Sequence, residues 1–294
     1  MAERSWHIGV IGGSGLYRVE GLEDAQQIAV ESPFGAPSGP VTIGTLDGVR
    51  FSFIARHGDG HRLPPGDVNY RANIDVLKRS GVTDLLAISA VGSLREDYMP
   101  GQFVAVDQLI DRTTRRGRSF FGEGIAAHVS LADPTCPILS ARVADAAEGA
   151  GARVHRGGCY IAIEGPQFST RAESHLFRQW GAGVIGMTAM PEARLAREAE
   201  LPYALLGMVT DYDCWRTGEE DVGVEEVLAV VRANAGLART TLRRLAQALP
   251  AVRSANPIDR ALDGAIITAP SAIDPAARLR LSAIAGRVLQ GHGG

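Results

Sequence analysis

Short apolar runs alternate with stretches of helical periodicity along most of this 294-residue chain, and that alternation restricts it to an α/β layer fold. Strands are predicted at 7–11, at 41–43 paired with 49–55 across Asp47-Gly48, and at 85–90, 103–109, 159–163, 183–186 and 204–209. Helices are predicted at 67–80, stopping at Gly81; at 137–149, opening on a proline; at 170–180, capped by Ser169; at 192–200; and at 224–249, a long amphipathic stretch. An Ala- and Pro-rich linker over 250–270 and a last helix over 274–289 complete the reading. With 45% apolar residues, 21% charged residues and no internal repeat, one large domain with a sizeable core is expected.

Charge narrows the partners. Thirty basic residues against 33 acidic ones give a net charge of -3, a field that draws the chain neither to nucleic acid nor to an anionic membrane, so a small-molecule substrate is expected. The N-terminal residues lack the apolar core of a signal sequence, and no apolar run is long enough to span a bilayer. Cys136, Cys159 and Cys214 are scattered and odd in number, which suits reduced thiols in the cytoplasm, and none has metal-ligand spacing.

Three segments at strand ends carry candidate chemistry. Gly12-Gly13-Ser14-Gly15 offers backbone N–H groups and a hydroxyl to an anion, but it matches no dinucleotide pattern and lacks the lysine of a P-loop; taken alone it is also an ordinary tight turn. In Ala55-Arg56-His57 a strand ends in a cation and an imidazole, and Arg56 is the type of residue that forks onto phosphate. Ser89-Ala90-Val91-Gly92-Ser93 again puts a hydroxyl and a glycine after an apolar strand. Such loops converge on one crevice in open α/β sheets. Thr210-Asp211-Tyr212-Asp213 follows another strand, and by itself reads equally well as a capped turn.

Residues 8–16, Ala55-Arg56-His57, Val68-Asn69-Tyr70, Glu164-Gly165-Pro166 and Gly186-Met187-Thr188 recur together and in order, and on them the chain resembles the trimeric purine nucleoside phosphorylase family from about residue 7 to about residue 245. The resemblance implies a central mixed, twisted β-sheet flanked by helices, with residues 1–250 as one domain and 251–294 as its helical extension. It implies that Ser14, Arg56, His57, Ser89, Ala90 and Thr188 hold phosphate, that Met187 lies along the ribose and that Phe168 packs on the purine. It also implies that Asp211 serves a proton at N7 of the leaving base, with Asp213 near the exocyclic amine. Inorganic phosphate would be a co-substrate, with no cofactor and no metal.

Relatives acting on 6-oxopurines carry glutamate after the Phe168 position and asparagine at the Asp211 position; Ser169 and Asp211 stand here instead. A carboxylate repels O6 but accepts a hydrogen bond from an N6 amine or a protonated N7, so the 6-aminopurine is expected. The resemblance assigns the sugar's 5′ end to Val224, Val227 and Leu228, one helical face by spacing, and to His128 of a neighbouring subunit, which implies a homotrimer. The substrate implied is 5′-methylthioadenosine. Methylthioinosine, another 5′-modified 5′-deoxyadenosine, or binding of a nucleoside without turnover are the alternatives, and His61-Arg62-Leu63-Pro64-Pro65 is similar to the methylthioinosine branch. The basic run 112–118 is read as a subunit-contact loop.

Overall fold

A computed structural model describes residues 5–12, 21–216 and 224–290, apart from the side chains at 224 and 226–228. The first half of the chain forms β1 (His7–Gly12), β2 (Glu23–Ile28), β3 (Val41–Leu46), β4 (Val49–Ala55), α1 (Tyr70–Arg79), β5 (Asp84–Ser93), β6 (Phe103–Val106), β7 (Gln108–Asp111) and α2 (Pro137–Gly149). The second half forms β8 (Val154–Arg156), β9 (Cys159–Ala162), α3 (Arg171–Gln179), β10 (Val184–Gly186), α4 (Ala189–Glu198), β11 (Tyr203–Asp211), α5 (Val224–Ala248), α6 (Pro275–Arg280) and α7 (Ser282–Leu289).

Among the described residues eleven strands make one mixed sheet: β1 pairs in parallel with β4 and β5, β5 in parallel with β11, and β10 in parallel with β9, whereas β2, β3 and β4 form an antiparallel meander. The central parallel strands carry apolar residues on both faces because both faces are covered. Along β11, Tyr203, Leu205 and Val209 enter the core shared with α1, α4 and α7, while Ala204, Leu206 and Met208 enter the one shared with α2 and α5. The period of two along each strand thus builds a helix–sheet–helix sandwich.

Several expectations shift. Asp47 and Gly48 both take left-handed backbone, which is the geometry of a two-residue hairpin. The strand expected over 103–109 divides at Asp107 into β6 and β7, which pair with different neighbours, β6 with β11 and β8 and β7 with β9. β2 has no apolar alternation, since it is an exposed edge strand with the sequence EDAQQI, and among the described residues its pairing comes only from β3. The cap of α3 is Thr170, which accepts from Glu173 N and forms a capping box, and not Ser169. Residues 250–270 are no loose linker: the Arg253 side chain is 1% exposed and ion-paired to Asp84 and Asp259, and Leu262 joins the core with Ile273, Leu281 and Leu289 of the tail.

Candidate active site

The cavity opens where the sheet changes partners. Gly92 pairs with β11 on one edge and with β10 on the other, and Leu86 likewise lies between β11 and β1, so β1 and β10 share one edge of β5. β1 occupies that edge as far as Ala87 and β10 takes it over at Gly92. Residues 88–91 between them face a cavity of about 250 Å³, which Ile88, Ser89, Ala90 and Val91 help to line. β5 was expected to end at Ala90; it runs on to Ser93 because β10 and β11 both hold its last residues.

One end of the cavity is polar. Ser89 Oγ lies 3.3 Å from Thr188 Oγ1, and Thr188 N donates to Tyr160 Oη at 3.1 Å. Arg56, directly after β4, is 1% exposed; its Nε and Nη2 donate to the two Glu192 carboxylate oxygens at 2.9 Å each, and Nη1 donates to Ile88 O at 3.2 Å. Burial works to lower the arginine's pKa, but the charge and hydrogen bonds of Glu192 outweigh it and raise it, so the guanidinium stays charged. His57 Nδ1 donates to Leu63 O at 2.9 Å, which fixes the tautomer, and its ring stacks on His61 with centroids 4.2 Å apart. Burial, then the neighbouring Arg56, pushes the His57 imidazole down to about 4, so it is neutral at physiological pH. Ser14 lies outside the described residues.

The middle wall is held by an arginine of the basic run 112–118, expected from sequence to be a subunit-contact loop. Arg112, Arg115 and Arg118 of the run are exposed, but the Arg116 side chain is 1% exposed. It pairs with Glu164 Oε1 at 2.9 Å and donates to the carbonyls of Met187 at 2.5 Å, Met190 at 2.7 Å and Glu164 at 2.7 Å, and to Tyr70 Oη at 3.1 Å. Although burial opposes it, the backbone N–H groups of Thr114 and Arg115 together with Arg116 hold the Glu164 carboxyl down at about 2. Gly165 has a φ of 68°, and a Cβ there would lie 2.5 Å from Met187 Sδ, so glycine is what lets the Met187 thioether pack beside this turn. Met187 and Thr188 both line the cavity.

The far end combines an apolar slot with two carboxylates. A bulge in β11 between Val209 and Asp211 aims Asp211 into the cavity, with Thr210 Oγ1 donating to its Oδ2 at 2.6 Å. Ser169 Oγ, released from capping, donates to Asp213 Oδ2 at 2.8 Å. Asp213 is 4% exposed, and Phe168, 47% exposed, stands at the mouth of the same cavity. Ile163, Ile185 and Val231 supply apolar wall between these groups.

Of the residues predicted from sequence, the cavity gathers Arg56, His57, Ser89, Ala90, Phe168, Ser169, Met187, Thr188, Asp211 and Asp213. Val224, Val227 and Leu228 fall in α5, with side chains outside the described ones; Val231, overlooked, continues their spacing by one turn into the wall. His128 is exposed and does not line the cavity of its own chain; its N donates to Ala265 O at 2.9 Å. Glu192 was also overlooked, since nothing local in its helix indicates a partner 136 residues away. Among the described residues no group of three His, Cys, Asp or Glu side chains is arranged to hold a metal, and no helix is long and apolar enough to cross a membrane.

Hydroxyls, a buried arginine, apolar side chains and two carboxylates thus line one cavity of an α/β fold, the usual make-up of a small-molecule enzyme site. The chain belongs to the phosphorylase superfamily, whose sequence profile matches residues 7–247. An S-methyl-5′-thioadenosine phosphorylase of Bradyrhizobium diazoefficiens is 53% identical over 286 residues, 97% of this chain and 98% of that one. Its counterpart from Rhodospirillum rubrum is 54% identical over 288 residues, 96% of this chain and 97% of that one. Among solved structures, a methylthioadenosine phosphorylase from an antarctic soil metagenomic library superposes with a TM-score of 0.88 at 42% identity, covering 95% of this chain and 99% of its own. A mutant adenosine/methylthioadenosine phosphorylase of Schistosoma mansoni in complex with methylthioadenosine gives a TM-score of 0.77 at 34% identity, over 83% of this chain and 91% of its own.

Proposed function

We propose that the protein cleaves the N-glycosidic bond of 5′-methylthioadenosine with inorganic phosphate, giving adenine and 5-methylthioribose 1-phosphate. The observation that carries this reading is that Asp211 and a Ser169-held Asp213 line the same cavity as Arg56, Ser89 and Thr188. Phosphate sits among Ser14, Arg56, His57, Ser89, Ala90 and Thr188, under the sugar, and one of its oxygens bonds to C1′ as the C1′–N9 electron pair leaves with the base. Positioning the two reactants accounts for much of the rate, and the anion also stabilises the sugar cation. Met187 lies along the ribose and Phe168 over the purine. Asp211 delivers the proton that N7 takes up, and Asp213 accepts from the exocyclic amine.

Ser169 in place of a longer acid supports the amino base over the oxo base, because its hydroxyl spends its hydrogen on Asp213 and leaves that carboxylate an acceptor. The 5′ thioether meets Val224, Val227 and Leu228, with His128 contributed by a neighbouring copy in a homotrimer. Phosphate is the second substrate; the chemistry needs neither cofactor nor metal. Incubation of the pure protein with 5′-methylthioadenosine tests the reading: adenine appears only with phosphate present, and equal release without phosphate would sink it. A panel including methylthioinosine and 5′-halogenated 5′-deoxyadenosines ranks the base and the 5′ group.

A further inference from the structure

Behind Arg56, outside the lining of the cavity, lies a buried acid that the proposed reaction does not use. Glu192, in the first turn of α4, meets Arg56 fork on fork at 2.9 Å on both arms, and Tyr203 Oη donates to the same carboxylate at 3.0 Å. Both side chains of the pair are 1% exposed. Nη2 of Arg56 also donates to Ile11 O at 3.3 Å and Nη1 to Ile88 O at 3.2 Å. A guanidinium has five N–H donors, so at most one is left for an anion. Arg56 is the one arginine or lysine among the described cavity-lining residues, and His57 beside it is neutral at physiological pH. Among the described residues the anion end therefore offers its ligand the Ser89 and Thr188 hydroxyls but little net positive charge.

That arrangement is poor for holding a phosphate tightly and good for using one. An enzyme gains rate only from interactions stronger in the transition state than in the ground state. A phosphate fully ion-paired to a free arginine would be stabilised before reaction, and its charge would be spent on the protein. With the arginine neutralised from behind, the charge acts on the sugar cation that appears as the glycosidic bond breaks.

We propose that Glu192 is a positioning residue that holds the Arg56 charge back from the phosphate, trading ground-state affinity for rate; the proposal rests on the phosphorolysis reading above. The direct test is Glu192→Gln, which keeps the shape and removes the charge. Expected are a phosphate Kd by calorimetry and a phosphate KM lower by about tenfold, kcat lower by about tenfold, and a nucleoside KM moved far less. A merely structural role predicts the opposite for phosphate, because a loosened Arg56 would raise its KM, and that result overturns the proposal, as does an unchanged kcat.

Leaving Arg56 buried without its partner is costly, and should the single variant fail to fold, the pair Arg56→Gln with Glu192→Gln removes both charges together. Because the wild-type pair brings no net charge, the double variant loses less than about tenfold in phosphate Kd; a larger loss makes Arg56 the working cation and overturns the proposal. Wild-type turnover that ignores phosphate overturns the phosphorolysis reading together with the proposal, whereas phosphate-dependent wild-type turnover with the opposite variant behaviour overturns the proposal alone.

Discussion

Substituting Gly165 separates the wall of the cavity from the stability of the fold. Gly165→Ala puts a Cβ 2.5 Å from Met187 Sδ, 3.3 Å from its Cγ and 3.4 Å from its Cε, so the sulfur is about 1 Å too close for ordinary contact. The Met187 backbone cannot yield, because Arg116 holds the carbonyls of Met187 and Met190 at 2.5 and 2.7 Å. The thioether must therefore swing by about 1 Å, and a misplacement of that size at a reacting site costs on the order of 100-fold in rate. Left-handed backbone at φ 68° adds about 1–2 kcal/mol of strain for a residue with a Cβ. For a domain of this size that lowers Tm by only a few degrees, roughly 2–4 °C per kcal/mol. Gly165→Ala is thus expected to melt slightly below wild type by calorimetry and to lose about 100-fold in kcat/KM for adenine release. Retention of kcat/KM within about twofold, with the small loss in Tm present, would refute the argument that Gly165 sets the position of Met187.

Other consequences can be measured independently. Asp211→Asn is expected to lose at least about 100-fold in kcat on aminopurine nucleosides with a smaller change in KM, since general acid catalysis contributes on that scale; steady-state kinetics decides, and equal losses in both parameters would count against a proton-transfer role. Ser169→Ala removes the 2.8 Å donor to Asp213 and should cost about 1 kcal/mol of base recognition, read as a rise in nucleoside KM with Tm nearly constant. Burial pushes the Glu198 carboxyl up to about 7 despite hydrogen bonds from Phe120 N and Ser119 Oγ. The folded state then holds that proton more tightly than the unfolded chain, so its stabilising effect is full below about 4.5 and disappears as pH rises through about 7. Glu198→Gln should flatten urea-measured stability between those values, and an unchanged slope would contradict the assignment. Removing Arg253 by Arg253→Met leaves Asp84 and Asp259 without their buried cation and should cost about 3–5 kcal/mol in urea unfolding, which tests how firmly the tail is tied to β5.

The composition of the strands was enough to read the layers of this protein. Runs such as 8–11 and 204–209 have no polar face, and only a sheet covered on both sides buries them, so β1, β5 and β11 and their flanking helices follow from local sequence. The hairpin at Asp47-Gly48 and the proline-opened α2 are local in the same sense. The edge strand β2 was not legible, because its exposed residues have no periodicity and its pairing depends on β3. The tail misled for the opposite reason: Ala and Pro suggested a linker, but Arg253 finds its charges 169 and 6 residues away.

The candidate site divides along the same line. Residue types at strand ends made Arg56 and Ser89 candidates, whereas Asp211, whose segment alone reads equally well as a capped turn, was marked by the resemblance to the phosphorylase family. What they do to one another was decided only by the fold. The sheet's change of partner at Gly92 opens the cavity, the bulge in β11 aims Asp211, and α3 shifts its cap by one residue so that Ser169 can reach Asp213. The charge balance at the anion end was wholly hidden, because an arginine at position 56 and a glutamate at 192 become one neutral pair only when α4 packs against the sheet. Sequence determines which groups are present and on which local element; electrostatics depends on distance through space, and only the tertiary structure sets that.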